Sequence, residues 1–240
     1  MLIALAFSIA PSFAFDMTKY YPLRPGSIWI FERGHSLVGS KTHTFSVYTG
    51  IQVLSGDGTG ESIYWYSGPE GVLGVGLQFG IEMIDLGNTP LKLADADMDF
   101  GIPIVTTIPA ETIPGEDAIT FTVTLVAQET VIVPAGQFED TLVLQIRIDD
   151  DPTSHYVEKV WLAEGIGPVK YERVSESPPN HEGCLFTCRC FDYSGDDPVV
   201  DQRVISLDSL LGPPLVDTNN DGRVGMEEVV YILQTLANSR

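Results

Sequence analysis

Apolar and polar residues alternate along most of the chain with the period of two that is typical of β-strands. Three segments show this most clearly, with apolar positions at Phe45, Val47, Ile51 and Val53, at Ile119, Phe121, Val123 and Leu125, and at Leu142, Leu144, Ile146 and Ile148. Further strands are predicted at 27–33, 61–67, 72–79, 155–162 and 168–174. Long helical patterns do not intervene, so crossover helices are lacking and the sheet must be mainly antiparallel. The sequence predicts a mainly β fold, a curled antiparallel meander in the form of a half-barrel, barrel or sandwich.

The C-terminal end departs from this period and has the pattern of a twelve-residue calcium loop. Asp217, Asn219, Asp221 and Glu228 stand at loop positions 1, 3, 5 and 12, and Arg223 at position 7 would offer its backbone carbonyl. A glycine at position 6 permits the positive φ that turns the chain around the ion. Because calcium takes oxygen ligands in this arrangement, these five residues are predicted to bind one Ca²⁺ ion.

A short amphipathic helix is predicted to leave the loop, since its apolar residues recur at helical spacing. These residues are Val229, Ile232, Leu233 and Leu236. No matching helix enters the loop, because Pro213 and Pro214 precede it and paired prolines do not fit inside a helix. The loop and helix over 215–240 resemble one segment of a dockerin, which is half of an EF-hand.

Dockerins carry this segment twice and bind cohesin domains of polysaccharide-degrading assemblies, whereas a single copy is found in this sequence. The resemblance therefore implies calcium binding more strongly than cohesin binding. One short helix cannot bury its own apolar stripe, so this stripe is the candidate surface for a protein partner.

Three segments of the remaining chain, which begin at Tyr20, Val133 and Trp161, resemble the opening, middle and closing signatures of exported bacterial β-proteins of unknown function. Together they span residues 20–172. Since that family has no settled activity, the resemblance implies the compartment and the β fold, and nothing about chemistry.

Each of these signatures also has a structural explanation. Residues 134–136 form a turn that directs Phe138 into the core, and glycines on both sides of Ile166 allow a tight bend before the next strand. The sequence favours this explanation over a catalytic one.

The start of the chain indicates export. Residues 1–14 are mostly apolar and end in the small residues of a signal-peptidase site, so the mature chain is predicted to begin near Phe15. The basic residues that open a signal peptide are missing, so the predicted signal peptide is incomplete. No apolar run is long enough to predict a transmembrane segment. The expected location is the periplasm, the cell surface or the extracellular space.

The chain is predicted to continue with a β-domain over 15–200, a linker over 201–214 and the calcium module over 215–240. The 240 residues include 44% hydrophobic residues, which is enough for one sizeable core. The formal net charge of −20 argues against nucleic acid and anionic membrane as partners, because both would be repelled.

Three cysteines lie within segment 181–190 at the end of the predicted β-domain. Cys184, Cys188 and Cys190 are disulfide candidates, with one thiol left over, and the sequence does not tell which pair forms. Together with His181 they could instead supply four zinc ligands, but their spacing is not that of a known zinc finger. Export favours the disulfide.

A second acidic series, Asp95, Asp97 and Asp99, imitates the start of a calcium loop. Its glycine comes one place late and no acidic residue closes the loop, so the ligand geometry fails. Alternation explains it better, with the three aspartates on one face of an extended segment and Ala96, Met98 and Phe100 on the other.

Catalytic motifs are hard to find in the sequence. The glycines around Ser36 are spaced wrongly for a nucleophile elbow, and the four histidines show no metal-ligand spacing. Glycoside hydrolysis needs only two carboxylates that the fold brings together, and the 33 acidic residues leave that chemistry open.

The sequence therefore favours an exported, non-catalytic calcium-binding protein whose dockerin-like module serves docking or stabilisation. An alternative is a component of extracellular polysaccharide breakdown, either a glycoside hydrolase or a carbohydrate-binding module. A second alternative is a periplasmic carrier of an apolar ligand. Exposed aromatic rings along one sheet face would favour sugar binding, whereas a deep apolar cavity would favour the carrier.

Overall fold

A computed structural model of the chain describes residues 14–23, 28–31, 36–55, 61–79, 81–110, 112–113, 117–151, 154–177 and 204–211. Within these residues it contains one short helix and fifteen strands. The first ten elements are β1 (Phe15–Asp16), α1 (Met17–Tyr20), β2 (Ile28–Phe31), β3 (Ser36–Phe45), β4 (Tyr48–Ser55), β5 (Glu61–Gly68), β6 (Gly71–Phe79), β7 (Glu82–Asp85), β8 (Leu91–Ala94) and β9 (Asp97–Met98). The last six are β10 (Pro103–Ile108), β11 (Ile119–Val133), β12 (Gly136–Asp151), β13 (Ser154–Ala163), β14 (Gly167–Ser177) and β15 (Val204–Leu211).

Thirteen of the described strands form one antiparallel sheet in the order β10-β11-β12-β13-β14-β15-β2-β3-β4-β5-β6-β7, with β8 beside β6. The remaining two, β1 and β9, pair with each other. The large sheet thus consists of two meanders, β2 to β7 and β10 to β14, joined through β15, and it curls into a half-barrel. The predicted mainly β, antiparallel fold is confirmed; the predicted calcium loop and helix lie outside the described residues.

One hydrophobic core unites the two meanders and α1. Leu144 and Val160 from the second meander, Ile63 and Trp65 from the first, and Met17 from the helix belong to it and are at most 6% exposed. The helix contacts both β6 and β14, which lie six places apart in the sheet, so α1 must sit inside the curl. Burial of apolar side chains on both sides of α1 is what holds the curl closed around it.

The four-residue helix is stabilised at its start by Asp16, whose carboxylate accepts a hydrogen bond from the Thr18 backbone N–H at 3.2 Å. An aspartate N-cap satisfies a backbone donor that would otherwise have no partner. Met17 and Tyr20 are its buried residues, so burial and capping together keep so short a helix in place.

The predicted strands at 61–67, 72–79, 155–162 and 168–174 correspond to β5, β6, β13 and β14. The alternation predicted around Leu142 is confirmed in part: its apolar positions are buried and Arg147 is exposed, but Thr141 and Val143 on the other face are buried as well. Strands β7, β8 and β9 are too short to show a period in the sequence.

The prediction that Phe45, Val47, Ile51 and Val53 belong to one strand is wrong. Phe45 ends β3 and Tyr48 begins β4, so Val47 lies in a hairpin turn and is 77% exposed. Ser46 takes a positive φ of 38° there. Tight hairpin turns need positive φ, yet this turn carries no glycine or asparagine that would mark it.

The linker predicted over 201–214 contains a strand. Residues Val204–Leu211 form β15, which pairs with β14 through its first part and with β2 through its second. Without β15, the facing edges of β14 and β2 would leave backbone groups unpaired. Residues 204–211 of the predicted linker are therefore part of the sheet.

The predicted signal peptide lies outside the described residues except for Ala14. Phe15, the predicted first residue of the mature chain, begins β1, and its ring packs edge-on against Phe100 with centroids 5.3 Å apart. Among the described residues, no helix combines the length and the apolar character needed to cross a membrane.

Candidate functional site

The predicted calcium ligands Asp217, Asn219, Asp221, Arg223 and Glu228 all lie outside the described residues. The same holds for the apolar helix residues and for the cysteines, which are Val229, Ile232, Leu233, Leu236, Cys184, Cys188 and Cys190. The calcium site, the partner surface and the disulfide therefore remain predictions.

The last described strand ends shortly before the predicted calcium ligands. β15 ends at Leu211, which is paired with Ile28 of β2, and residues 212–216 separate it from Asp217. Five extended residues span at most about 18 Å.

The segments that carry the three signature resemblances meet at one end of the half-barrel. Trp29 donates its Nε1–H to the backbone carbonyl of Ile166 at 2.8 Å. The backbone N–H of Gly165 donates to the carbonyl of Lys19 at 2.8 Å. Leu142 and Leu162, from the middle and closing segments, face each other across β12 and β13. The segments thus join α1 and β2 to the rim of the second meander.

The structural explanation of these signatures is confirmed at the predicted turns. Gly136 has φ of 142°, Gly165 of 74° and Gly167 of 97°, which are conformations that other residues rarely adopt. Phe138 packs against the core, as predicted from the preceding turn.

Tyr20 lies at the same rim, near two carboxylates. Burial raises the pKa of its phenol, and the charges of Glu164 and Asp140 raise it further. Asp140 has φ of 53°, which is a strained conformation for an aspartate within a strand. Burial and the two charges therefore keep the phenol protonated.

Trp161 is fixed on the second meander by two charged neighbours. Its Nε1–H donates to Glu129 Oε1 at 2.6 Å, and Lys170 Nζ stands 4.1 Å from the ring centroid. The ring is only 4% exposed. Both contacts stabilise the ring where it stands, and little ring surface remains for a ligand.

Ionisable side chains also lie within the core. Burial raises the pKa of Tyr21, and burial together with Tyr21 and Glu158 raises the pKa of Tyr171. Glu158 is itself only 5% exposed. Both phenols therefore stay protonated well beyond the pH at which a free tyrosine titrates.

The first meander carries a second, smaller cluster on the sheet face opposite to the main core. Phe45, Tyr64, Leu73 and Val75 form it and are at most 4% exposed. Gly76 makes room for it, because a Cβ at that position would stand 2.3 Å from the Phe45 ring. A close-packed, mainly aromatic layer thus supports the outside of this part of the sheet.

Polar side chains continue this face. Gln52 donates through Nε2 to Ser62 Oγ and to Gln78 Oε1, both at 2.8 Å, and the Tyr64 hydroxyl donates to the same Gln78 oxygen at 3.0 Å. Gln52 and Ser62 are at most 4% exposed. Their hydrogen bonds satisfy buried polar groups and fix the register of β4 to β6.

Two half-buried tyrosines lie at the end of this face, beside the β5–β6 turn. The rings of Tyr48 and Tyr66 have centroids 5.1 Å apart and are tilted by 53°. The Tyr48 hydroxyl donates to Glu70 Oε2 at 2.5 Å. This hydrogen bond raises the pKa of Tyr48, so the hydroxyl remains protonated.

A cleft of about 480 Å³ lies on the other side of the same hairpin, lined by Asp16, Thr18, Pro22, Leu23, Ser67, Gly68, Pro69, Ala96 and Asp97. Asp16 and Asp97 face each other directly across the β1–β9 pair. Facing carboxylates repel each other. Hydrogen bonds from Thr18 and the charge of Lys19, whose Nζ is 3.6 Å away, nevertheless hold the pKa of Asp16 below its usual value.

The acidic series from Asp95 to Asp99 follows the predicted alternation in part. Asp97 and Asp99 are exposed and Met98 is 3% exposed, but Phe100 is 48% exposed at the surface. Asp95 forms an ion pair with Lys92 at 2.6 Å. Within the described ranges, no group of three or more His, Cys, Asp or Glu residues is placed to hold a metal ion.

No family model matches the chain, and no curated protein matches it. Two solved structures align with most of it. A predicted lipoprotein from Parabacteroides distasonis is 12% identical, with 82% of this chain and 100% of that chain covered and a TM-score of 0.35. A predicted exported protein with a YmcC-like fold from Bacteroides fragilis is 12% identical, with 84% and 100% covered and a TM-score of 0.30. At TM-scores this low, the likeness carries no argument about the fold or function of this chain.

Proposed function

We propose that the protein is an exported, non-catalytic calcium-binding protein, in which a half-barrel β-domain carries a dockerin-like calcium module. The observation that carries the proposal is the spacing of oxygen ligands from Asp217 to Glu228. Strand β15 lies at the seam between the two meanders, and five residues separate its end from Asp217. Calcium that orders the loop would therefore act next to the seam.

Calcium binding should be measurable as heat on the full chain. Isothermal titration should show one site with a dissociation constant on the order of 10⁻⁴ to 10⁻³ M, as expected for a single extracellular loop. Asp217→Ala should abolish the heat, because it removes the first ligand. Asp95→Ala is the matched control, since it removes an aspartate from the acidic series whose ligand geometry fails. Equal heats from wild type and Asp217→Ala would refute the assignment.

Thermal unfolding distinguishes a calcium module that stabilises the β-domain from one that serves only for docking. If calcium stabilises the seam, 10 mM CaCl₂ should add roughly 1.4 to 2.7 kcal/mol to the stability of the β-domain, given that affinity. Asp217→Ala should lose this increment. Heat of binding with no shift in the melting temperature would assign the module to docking alone.

The two alternatives from the sequence are a carrier of apolar ligands and a component of polysaccharide breakdown. Among the described residues, the inside of the curl holds packed side chains such as Met17 and Trp65, and no observation there favours a carrier of apolar ligands. A glycoside hydrolase needs a carboxyl group whose pKa is raised so that it can act as the acid. Asp16, in the acidic cleft, has a lowered pKa, which suits the ionised carboxylate of such a pair and not its acid.

A further inference from the structure

We propose that Tyr48, Tyr66 and Glu70 form a binding surface for neutral polysaccharide at the β5–β6 end of the first meander. This inference goes beyond the proposed calcium function and does not rest on it. It is carried by the orientation of two rings, by a carboxylate fixed beside them and by the charge of the chain.

The ring of Tyr66 lies against the backbone of its own strand. A Cβ on Gly68 would stand 2.2 Å from the Tyr66 hydroxyl oxygen and 2.5 Å from Cζ, so the ring covers this glycine closely. One ring face is thereby turned toward β5 and the other away from it. The C–H face of a sugar ring packs on an aromatic face of this kind, since both are apolar and flat.

Tyr48 supplies a second wall. Its ring is tilted by 53° from that of Tyr66 at a centroid distance of 5.1 Å, and both side chains are half-buried. The hydrogen bond from Tyr48 to Glu70 restrains the ring. Because the rings are held before a ligand arrives, binding loses little side-chain entropy.

The layer below the two rings is rigid as well. Tyr48 and Tyr66 pack against the cluster of Phe45, Tyr64 and Leu73, whose members are at most 4% exposed. A binding surface is precise when its side chains rest on packed neighbours.

Glu70 provides the polar part of the surface. One carboxylate oxygen accepts from the Tyr48 hydroxyl, and a carboxylate has further lone pairs that accept hydrogen bonds from sugar hydroxyls. Glu70 is exposed, so these lone pairs can be reached from solvent. A sugar has an apolar C–H face and polar hydroxyl groups. The two rings can contact the C–H face, and the carboxylate beside them can accept hydrogen bonds from the hydroxyls.

The negative charge of the protein favours a neutral polysaccharide over an acidic one. Among the described side chains, the lysine on this face is Lys92, which stands opposite Leu73 and is paired with Asp95 at 2.6 Å, so its charge is already compensated. The net charge of −20 repels acidic polysaccharides. A stable protein interface buries about 800 Å² on each partner, far more than two tyrosines and a glutamate offer, so a short run of sugar units fits this surface better.

Affinity electrophoresis of the full chain tests the proposal. Native gels that contain arabinoxylan, galactomannan or mixed-linkage β-glucan should retard the wild type with at least one of these polysaccharides. Tyr66→Ala should weaken that binding by at least about tenfold, as truncation of a central aromatic contact does. Tyr66→Phe should keep it, since the ring is retained.

Gly68→Ala keeps the residues of the surface and moves only the ring. The added Cβ meets the outer end of the Tyr66 side chain, which can swing aside, so the fold should keep its melting temperature while binding weakens. Ile132→Ala is the matched control, because Ile132 is 76% exposed on β11, in the other meander. It should bind like the wild type.

Several outcomes would overturn the proposal: no retardation by any neutral polysaccharide, unchanged binding by Tyr66→Ala, or retardation by alginate alone. The gels are repeated with chelator and with Asp217→Ala, neither of which should change the retardation. Retardation lost on either change would place the binding in the calcium module and overturn the tyrosine surface. Failure of the calcium titration with retardation intact would leave the polysaccharide surface standing.

Discussion

Two tyrosines inside the core, Tyr21 and Tyr171, are buried, and burial raises the pKa of both phenols. The unfolded chain releases these protons near pH 10, whereas the folded chain retains them. A raised folded pKa means that the stability is fully present below the unfolded pKa and is lost as the pH rises above it. The fold should therefore weaken in alkali.

Urea unfolding at pH 8 and pH 11 measures this loss. Each buried phenol should cost about 1.4 kcal/mol at pH 11, because that pH lies about one unit above the unfolded pKa. Tyr21→Phe should lose less stability than the wild type between the two pH values. An identical loss in the variant would contradict the burial of an un-ionised phenol at this position.

Single residues of the signature segments were predictable where backbone conformation dictates the residue type. Gly165 and Gly167 both take positive φ, as their place around Ile166 indicated. The hydrogen bond from the Trp29 indole to the Ile166 carbonyl was not predictable. The two residues are 137 positions apart, and only the curl of the sheet brings them together. The turn at Ser46 was missed because a serine with positive φ leaves no mark in the sequence.

At the scale of elements, β15 decides whether the two meanders form one sheet. It pairs with β14 at three positions and with β2 at four, and it is the only described strand between them. The sequence could show the long strands such as β11 and β12, whose alternation extends over many residues. It could not show β15, because an eight-residue strand owes its place to two partners that lie far away in the chain.

Two truncations test the role of β15. In calcium-free buffer, a chain that ends at Gly212 should keep the melting temperature of the full chain, since it retains every described strand. A chain that ends at residue 203 should lose several kcal/mol, because the edges of β14 and β2 are left without backbone partners. Calorimetry with near-UV circular dichroism is the measurement. Equal melting temperatures for both chains would mean that β15 does not hold the seam.

The tyrosine surface also belongs to the scale of elements. Tyr48 and Tyr66 stand on neighbouring strands, and Glu70 lies in the turn that follows. Their meeting depends on the register of β4 and β5, which pairs Ile51 with Trp65. Sequence periodicity reports which residues share a face of one strand, and it does not report which residues of two strands become neighbours. The calcium loop could be proposed from the sequence alone because its predicted ligands lie within twelve residues of one another.

For the whole molecule, the main electrostatic fact is a net charge of −20 on 240 residues. Arg147 and Asp149, and likewise Lys92 and Asp95, form exposed ion pairs between residues two or three positions apart. Such local, exposed pairs contribute little and do not tie distant elements together. The compact fold therefore carries a self-repulsion that these pairs do not relieve.

Salt should consequently stabilise the protein. Raising NaCl from 10 mM to 500 mM shortens the Debye length to a few ångströms and so screens the repulsion between negative charges. If this screening stabilises the fold by about 1 kcal/mol, the melting temperature rises by about 2–4 °C. Magnesium and calcium chloride at equal ionic strength separate screening from binding. At equal ionic strength, magnesium chloride should raise the melting temperature as much as sodium chloride does. Any additional rise with calcium chloride should disappear in Asp217→Ala. A melting temperature that falls as NaCl rises would contradict self-repulsion, because it would show that attractive ion pairs outweigh the excess of negative charge.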